Sequence, residues 1–251
     1  MKGLRRSRLA VVIPTYNEAE NIGMVLELTF ASISSGDIDG WVIIVDDNSP
    51  DGTADVAESL KEKYKKLVVI RRPQKLGLGS AYKDGFTLAL EKLNVEYVAE
   101  MDADGSHPPE KLPTMLNFLL EKHADCVIAS RYVKGGGWGW ESFSRIIVSK
   151  GANLLARLAT GVKLNDMTSG YRVYRADALR HVRFDGLDPG YTFQVQIVYE
   201  LVKKGFKIVE CPFVFMPRLQ GKSKLGIAEF LRFFRWCIKT MLARLFKIMR
   251  I

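Results

Sequence analysis

Two aspartates one residue apart, Asp102 and Asp104, follow the apolar run Tyr97 to Met101 in the stretch Met-Asp-Ala-Asp-Gly-Ser-His-Pro. Residues two apart on an extended chain point to the same side, roughly 6.5 Å apart. Two carboxylates so placed can share one cation. Hard oxygen ligands suit Mg2+ or Mn2+, and a diphosphate would complete the coordination shell. The same pair could instead cap the helix that begins near Pro109, and the motif alone leaves both readings open. Asp46-Asp47 ends a second apolar run in the same way. An acidic residue there can receive ribose hydroxyls or a base edge, or serve the turn Ser49-Pro50-Asp51-Gly52 as a helix cap.

Cations follow further along. Arg131 comes after the fifth apolar run, then Arg145 and Ser149, Arg172 and Arg175, and finally Arg218, Lys222 and Lys224 in Pro-Arg-Leu-Gln-Gly-Lys-Ser-Lys. Such a set could bind several phosphate oxygens, although each alone also reads as a solvated surface charge. The short loop around Gly221 stands apart, because it could act as a cationic flap over a diphosphate. Lys75-Leu-Gly77-Leu-Gly79 precedes a helical stretch but lacks the ending of a phosphate-binding loop, so a tight turn explains it better. Of the three histidines, His123 and His181 read as helix-end and surface residues, and only His107 lies within reach of the Asp102 turn. A glycosidase pairing of Asp102 with Asp104 is disfavoured, because their spacing sets them side by side rather than across a sugar ring.

The elements that must position these residues alternate. Apolar, β-branched runs at Leu9 to Ile13, Trp41 to Val45, Leu67 to Ile70, Tyr97 to Met101 and Cys126 to Ala129 are separated by segments of helical period. This predicts an α/β domain with a mostly parallel sheet flanked by helices, whose ligands gather beyond the strands' C-terminal ends. Expected helix starts are Asn17 with Glu20 three residues on, Ser49 or Asp51, and Pro108-Pro109. Beyond Arg131 come a Gly-rich turn with Trp138 and Trp140, helical stretches, and a strand near Lys207 to Phe215. From Gly226 onward, Arg232, Arg235, Lys239, Lys247 and Arg250 fall in one arc opposite Phe230, Phe234, Cys237, Met241, Leu245 and Met249. That predicts an amphipathic C-terminal helix, 226–251, appended to a domain spanning 9–225. It could pack on the domain or lie on a membrane surface.

The bulk properties restrict the partners. A formal charge of +9, from 37 Lys and Arg against 28 Asp and Glu, favours a phosphate-rich ligand or an anionic surface. No nucleic-acid motif accompanies it, so nucleic acid is not expected. Cys126, Cys211 and Cys237 are far apart, which argues against a zinc site or a disulfide framework. The basic Met1 to Arg8 precedes only a short strand and does not read as a signal peptide. The longest uncharged run, Pro189 to Tyr199, is far short of the ~20 residues a membrane-spanning helix needs.

Taken in order, Val-Val-Ile-Pro14-Thr-Tyr16-Asn17-Glu18, Val45-Asp46-Asp47-Asn-Ser-Pro-Asp-Gly-Thr, Lys75-Leu-Gly-Leu-Gly-Ser-Ala-Tyr and Met-Asp102-Ala-Asp104-Gly-Ser-His-Pro closely resemble family 2 inverting glycosyltransferases of the GT-A fold. More narrowly, residues 9 to about 240 look like the polyprenyl-phosphate (dolichyl-phosphate) mannose synthases. The resemblance implies transfer of mannose from GDP-mannose to a polyprenyl or dolichyl phosphate with inversion, giving a β-mannosyl-phosphoryl-polyprenol for protein glycosylation or glycolipid synthesis. Another sugar nucleotide such as UDP-glucose remains open as donor. It implies that Pro14, Tyr16, Glu18, Val45 and Asp47 surround the base and ribose. Asp102, Ala103 and Asp104 would meet Mg2+ or Mn2+ and the diphosphate, the two aspartates as metal ligands. Arg218 and Lys224 would contact the donor phosphates, and Arg131, Arg145 and Ser149 would receive the acceptor phosphate, with Asp104, Arg131, Arg218 and Lys224 as the catalytic set. Ser106 stands where some relatives carry Gln as a further metal ligand. Because some relatives continue into transmembrane helices and this sequence ends at Ile251, it resembles the branch without its own anchor. Such a protein is expected at the cytoplasmic face of the endoplasmic reticulum in a eukaryote or the plasma membrane in a prokaryote, with small membrane-anchoring subunits as candidate partners.

Overall fold

The computed structural model describes residues 6–139, 143–217 and 226–248, except the side chains of the last two. Arg218, Lys222, Lys224, Trp140, Met249 and Arg250, and the side chain of Lys247, therefore lie outside the described residues. The alternation read from the apolar runs is present. The first half comprises β1 (Arg8–Thr15), α1 (Ala19–Ser35), β2 (Asp39–Asp46), α2 (Thr53–Ser59), β3 (Leu67–Arg71), α3 (Leu78–Lys92) and β4 (Tyr97–Glu100). Then come α4 (Leu112–Glu121), β5 (Cys126–Ser130), β6 (Gly137–Trp138), α5 (Phe143–Thr160), β7 (Arg172–Arg175) and α6 (Ala176–Arg180). The chain continues with α7 (Phe193–Lys203), β8 (Ile208–Pro212), β9 (Val214–Phe215) and α8 (Ile227–Ile248).

Seven strands form one sheet in the order β3-β2-β1-β4-β7-β5-β8, and β7 alone runs antiparallel to its neighbours. β6 and β9 pair separately. Strand alternation divides the core. Leu9, Val11 and Ile13 pack with Ile22, Leu26, Met115 and Leu119 on one face, and Ala10 and Val12 with Tyr82, Phe86, Phe193 and Val198 on the other. A sheet buried on both faces needs unbroken apolar strands, which is why these runs stand out in the sequence. Helix α3 sits close to β1 only because residue 85 is glycine: a Cβ there would lie 2.3 Å from Val12 Cγ1.

Three expectations need correction. The capping pair Asn17 and Glu20 does not form, and Asn17 takes a left-handed φ of 54°. The start of α1 is capped from the loop after β2 instead: Asn17, Glu18 and Ala19 donate their N–H groups to Ser49 Oγ, Thr53 Oγ1 and Asp51 Oδ2. The strand near Lys207 to Phe215 is two strands, β8 and β9, in different sheets. Helix α8 has three sides rather than two. Phe233, Trp236 and Cys237 pack inward, and Arg244 donates to the carbonyls of Leu158 and Ala159 at the end of α5, where a cation also suits the helix dipole. Arg232, Arg235 and Lys239 form a basic side, while Ile227, Leu231, Phe234, Leu242 and Leu245 remain 46% to 81% exposed between it and the packed side. On α5, Phe143, Ile147, Leu154 and Leu158 are also exposed.

Candidate active site

Because β1, β2, β4 and β5 are parallel, the residues that follow them emerge at one edge of the sheet. Antiparallel β7 brings the residues that precede it, 166–171, to that same edge: Arg172 pairs with Glu100 of β4 and Ile128 of β5. Two cavities open there. The first, about 220 Å3, is lined by Pro14, Tyr16, Glu18, Asp47, Asp102, Ala103 and Asp104, along with Lys75, Gly190, Tyr191 and Glu229. The second, about 450 Å3, is largely apolar and contains Arg131, Arg145, Ser149 and Gln194 among Val148, Phe215, Phe230 and Phe233. Among the described residues, Tyr191 and Glu229 line both and mark their junction.

Asp102 and Asp104 are held individually. The Asp102 backbone N–H donates to His107 Nδ1 at 3.0 Å, which fixes the proton of a neutral ring on Nε2. His107 is buried and stacked on Tyr171 with ring centroids 5.0 Å apart, so it serves as a brace for the Asp102 turn rather than as a loop residue. Asp104 Oδ1 accepts from the Ser106 N–H at 3.0 Å and from the Ser106 hydroxyl at 2.5 Å. Ser106 thus orients the Asp104 carboxylate. Among the described residues no group of three His, Cys, Asp or Glu side chains is arranged to hold a metal ion. Two aspartates facing a cavity with space for further oxygen ligands fit a hard divalent cation whose shell a ligand completes.

Asp46 and Asp47 have distinct tasks. Asp46 accepts from Thr15 Oγ1, Ser49 Oγ and Ser49 N–H, which builds the loop that caps α1. Asp47 accepts from buried Arg72 at 2.9 Å and from the N–H groups of Leu76 and Gly77, at 2.8 and 2.9 Å. It therefore shapes the Lys75 loop as well as facing the first cavity. That loop is more than a turn: Lys75 Nζ sits 3.7 Å above the Tyr16 ring, a cation–π contact at the cavity wall. Gly77, at φ 102°, could carry no side chain, since a Cβ would meet the Pro189 carbonyl oxygen at 2.6 Å. Val45 is the exception among the expected base contacts. Its side chain is fully buried against α3 and lines neither cavity.

Arg131 is 9% exposed and forms two parallel bonds with Asp166, which is fully buried. Nη2 also donates to Thr168 Oγ1, and the guanidinium lies over the rings of Trp138 and Phe215. Burial opposes its charge, and the Asp166 bonds more than offset that, so the guanidinium pKa rises. Nη1 has no hydrogen bond among the described residues and remains for a ligand oxygen. Arg145 and Ser149 lie one turn apart on α5 and line the same cavity. Arg172 and Arg175, candidates for phosphate binding, do not reach either cavity. Arg172 is fully buried and paired with Glu100 at 3.2 Å, while Arg175 donates to the Ala124 carbonyl. Burial pushes the Glu100 carboxyl up to about 7 against the pull of Arg172. Sequence reasoning missed Lys75, Tyr191, Gln194 and Glu229, which lie on a presumed turn and at helix starts.

A model of the glycosyl transferase family 2 matches residues 10–183. The undecaprenyl-phosphate mannosyltransferase of Micrococcus luteus is 41% identical over 221 residues, which is 87% of this chain and 88% of that protein. The polyprenol monophosphomannose synthase of Mycolicibacterium smegmatis is 38% identical over 224 residues, 87% of this chain and 81% of its own. Among solved structures, mannosyl-3-phosphoglycerate synthase from Rubrobacter xylanophilus superposes with a TM-score of 0.69 at 19% identity, over 98% of this chain and 76% of that one. Glucosyl-3-phosphoglycerate synthase from Mycobacterium tuberculosis, in complex with Mn2+, uridine diphosphate and glucosyl-3-phosphoglycerate, gives 0.67 at 20%, over 96% and 80%. At these identities the structural likeness establishes the GT-A fold.

Proposed function

The chain belongs to glycosyl transferase family 2, and from that premise we propose that it transfers mannose from GDP-mannose to the phosphate of a polyprenol, with inversion at the sugar. The observation that carries the proposal is the junction of two unlike cavities. One mixes apolar wall with the charged side chains of Glu18, Asp47, Lys75, Asp102 and Asp104, as a sugar nucleotide requires; the other is mostly apolar with Arg131 and Arg145 in its wall, as a phosphate on a hydrocarbon tail requires. The two polyprenol-phosphate mannosyltransferases among the relatives support mannose as the group transferred and a polyprenyl phosphate as its acceptor.

In this reading Tyr16, Lys75 and Asp47 hold the nucleoside end of the donor. Asp102 and Asp104 would hold Mg2+ or Mn2+, which when bound would neutralise charge on the leaving diphosphate. Arg218 and Lys224, outside the described residues, would add cationic contacts to the same phosphates. Arg131 Nη1, Arg145 and Ser149 orient the acceptor phosphate. A phosphate monoester has a second pKa near 6, so the acceptor is mostly dianionic at neutral pH and needs no strong general base. Catalysis then rests on alignment and on charge stabilisation at the departing group.

The exposed apolar stripes of α5 and α8, with Arg232, Arg235 and Lys239 beside the latter, support placement of the protein at an anionic membrane surface. No helix among the described residues is long and apolar enough to cross a membrane. We place the enzyme peripherally on the cytoplasmic face, with 9–225 as the catalytic unit, 226–251 as the surface element, and small anchoring subunits as candidate partners. The donor is tested by competition binding of GDP against UDP, where GDP should win by at least tenfold. Inversion is tested by the anomeric configuration of the product: an α-linked product would contradict direct displacement, and tighter UDP binding would replace GDP-mannose with a uridine donor.

A further inference from the structure

We propose that Gln194 reads the hydroxyl groups of the sugar in transfer, forming a hexose subsite between the two cavities; the inference rests on the family 2 reading above. Gln194, on the first turn of α7, is only 4% exposed, yet neither its Nε2 nor its Oε1 has a hydrogen-bond partner. The Glu100 carboxyl lies beside it and is favoured in its charged form by the amide, a contact outside strict hydrogen-bond geometry. Two residues earlier, Thr192 Oγ1 is also buried and unpartnered. Both line the second cavity next to Tyr191, which borders the first.

The position of the amide identifies its neighbour. A Cβ on Gly170 would stand 3.2 Å from Gln194 Nε2 and 3.7 Å from Asp102 Oδ1, so the amide and the Asp102 carboxylate flank the same spot, and Gln194 belongs to the lining of the second cavity. A sugar leaving a diphosphate held at Asp102 for a phosphate held at Arg131 must pass through this gap. The chemistry of the amide selects the ligand. A buried polar group without a partner is costly, which favours a ligand that satisfies both of its atoms. The primary amide offers N–H donors and a carbonyl acceptor together. A dianionic phosphate only accepts and would leave Oε1 unpaired and repelled, whereas a pair of sugar hydroxyls both donates and accepts. Gln194 is therefore assigned to the hexose rather than to either phosphate.

The test compares wild type with Gln194→Ala, Gln194→Glu and Gly170→Ala, the last placing a methyl group against the amide without removing it. Steady-state rates are measured with GDP-mannose and with its C2 epimer GDP-glucose, alongside calorimetric binding of GDP alone. For Gln194→Ala, kcat/KM for GDP-mannose should fall by at least about tenfold and the preference over the epimer should narrow, because a site built for a hydroxyl discriminates through that bond. Affinity for GDP and the KM for polyprenyl phosphate should stay within twofold, and the other two variants should shift the preference in the same direction. An unchanged donor preference in variants whose thermal midpoints match wild type would overturn the assignment. So would a raised acceptor KM with donor preference intact, which would give Gln194 to the acceptor phosphate. If wild type does not use GDP-mannose, the donor in the proposed function fails separately. Gln194 is then judged by whether Gln194→Ala weakens the sugar nucleotide that does bind more than its free nucleoside diphosphate.

Discussion

Arg131 and Asp166 meet edge to edge, with Nε 2.7 Å from Oδ2 and Nη2 2.6 Å from Oδ1, while the Arg131 backbone N–H reaches the same Oδ2 at 3.0 Å. One carboxylate thus fixes both the main chain and the side chain of Arg131, and among the described residues Nη1 makes no hydrogen bond. Asn153 and Thr168 bond to Asp166 Oδ1 in turn. If Arg131 receives the acceptor phosphate as proposed, Asp166 is its positioning residue.

Replacing Asp166 should therefore damage acceptor use more than donor binding. Asp166→Ala is expected to lower kcat/KM for polyprenyl phosphate on the order of 100-fold, the cost of a small misplacement of a phosphate-aligning group. GDP affinity should stay within twofold. Arg131→Lys should behave similarly, because an ammonium reproduces neither the paired bonds nor the stacking on Trp138 and Phe215. Wild-type turnover in Asp166→Ala would remove Asp166 from the account.

The Glu100–Arg172 pair is a matter of stability. Both side chains are fully buried between β4 and β7, and removing one leaves the other without compensation. Arg172→Met should cost about 3–5 kcal/mol in a denaturant titration, and adding Glu100→Leu should recover most of it. A loss below about 1 kcal/mol in the single variant, typical of an exposed pair, would show that the pair is not buried in solution.

The three cysteines should be inert in the folded protein. Burial pushes the Cys211 thiol up to about 11 and that of Cys237 up to about 12, and raises Cys126 as well. The thiolate is the reactive form, so at pH 8 only ~0.1% of Cys211 is reactive, and less of Cys237. Reactivity should grow as pH rises toward 11. A thiol-exchange dye should find no fast-reacting group at pH 8 until denaturant is added, and then three; one rapid native equivalent would contradict the packing around that residue.

The exposed stripe of α8 should bind lipid. Leu231→Glu with Phe234→Glu is expected to reduce co-sedimentation with vesicles containing anionic lipid by at least fivefold, through lost apolar burial and added negative charge. Rates with a short, water-soluble polyprenyl phosphate should change little. Equal sedimentation of variant and wild type would move the membrane contact away from α8.

The parts of the molecule legible in the sequence are those where one physical demand dominates. Parallel strands buried on both faces must be apolar throughout, so Trp41 to Val45 or Tyr97 to Met101 announce themselves, and the acidic pairs that follow these two runs fall at the edge where such strands end. Strand β7 was hidden because two of its four residues are arginines, one of them buried only by virtue of Glu100 on the neighbouring strand. Asp166 was invisible for a related reason: it is a lone aspartate whose role depends on a guanidinium 35 positions earlier. The helical wheel separated the basic from the apolar residues of α8, but it could not show that part of the apolar side packs inward and part faces outward. Lys75 was read as part of a turn, and the turn is real; its position over Tyr16 needed the fold of the chain between them.

The central claim is that this chain joins mannose to a lipid phosphate under the control of Asp102 and Asp104. The measurement that tests it most directly incubates purified protein with GDP-mannose and a polyprenyl phosphate, with Mg2+, with Mn2+ and with a chelator, and follows the lipid by mass. The account predicts a lipid heavier by one hexose residue in either metal, none with the chelator, and at least about 100-fold slower formation in Asp104→Asn. An unmodified lipid under all conditions, or equal product with the chelator and in Asp104→Asn, would contradict it.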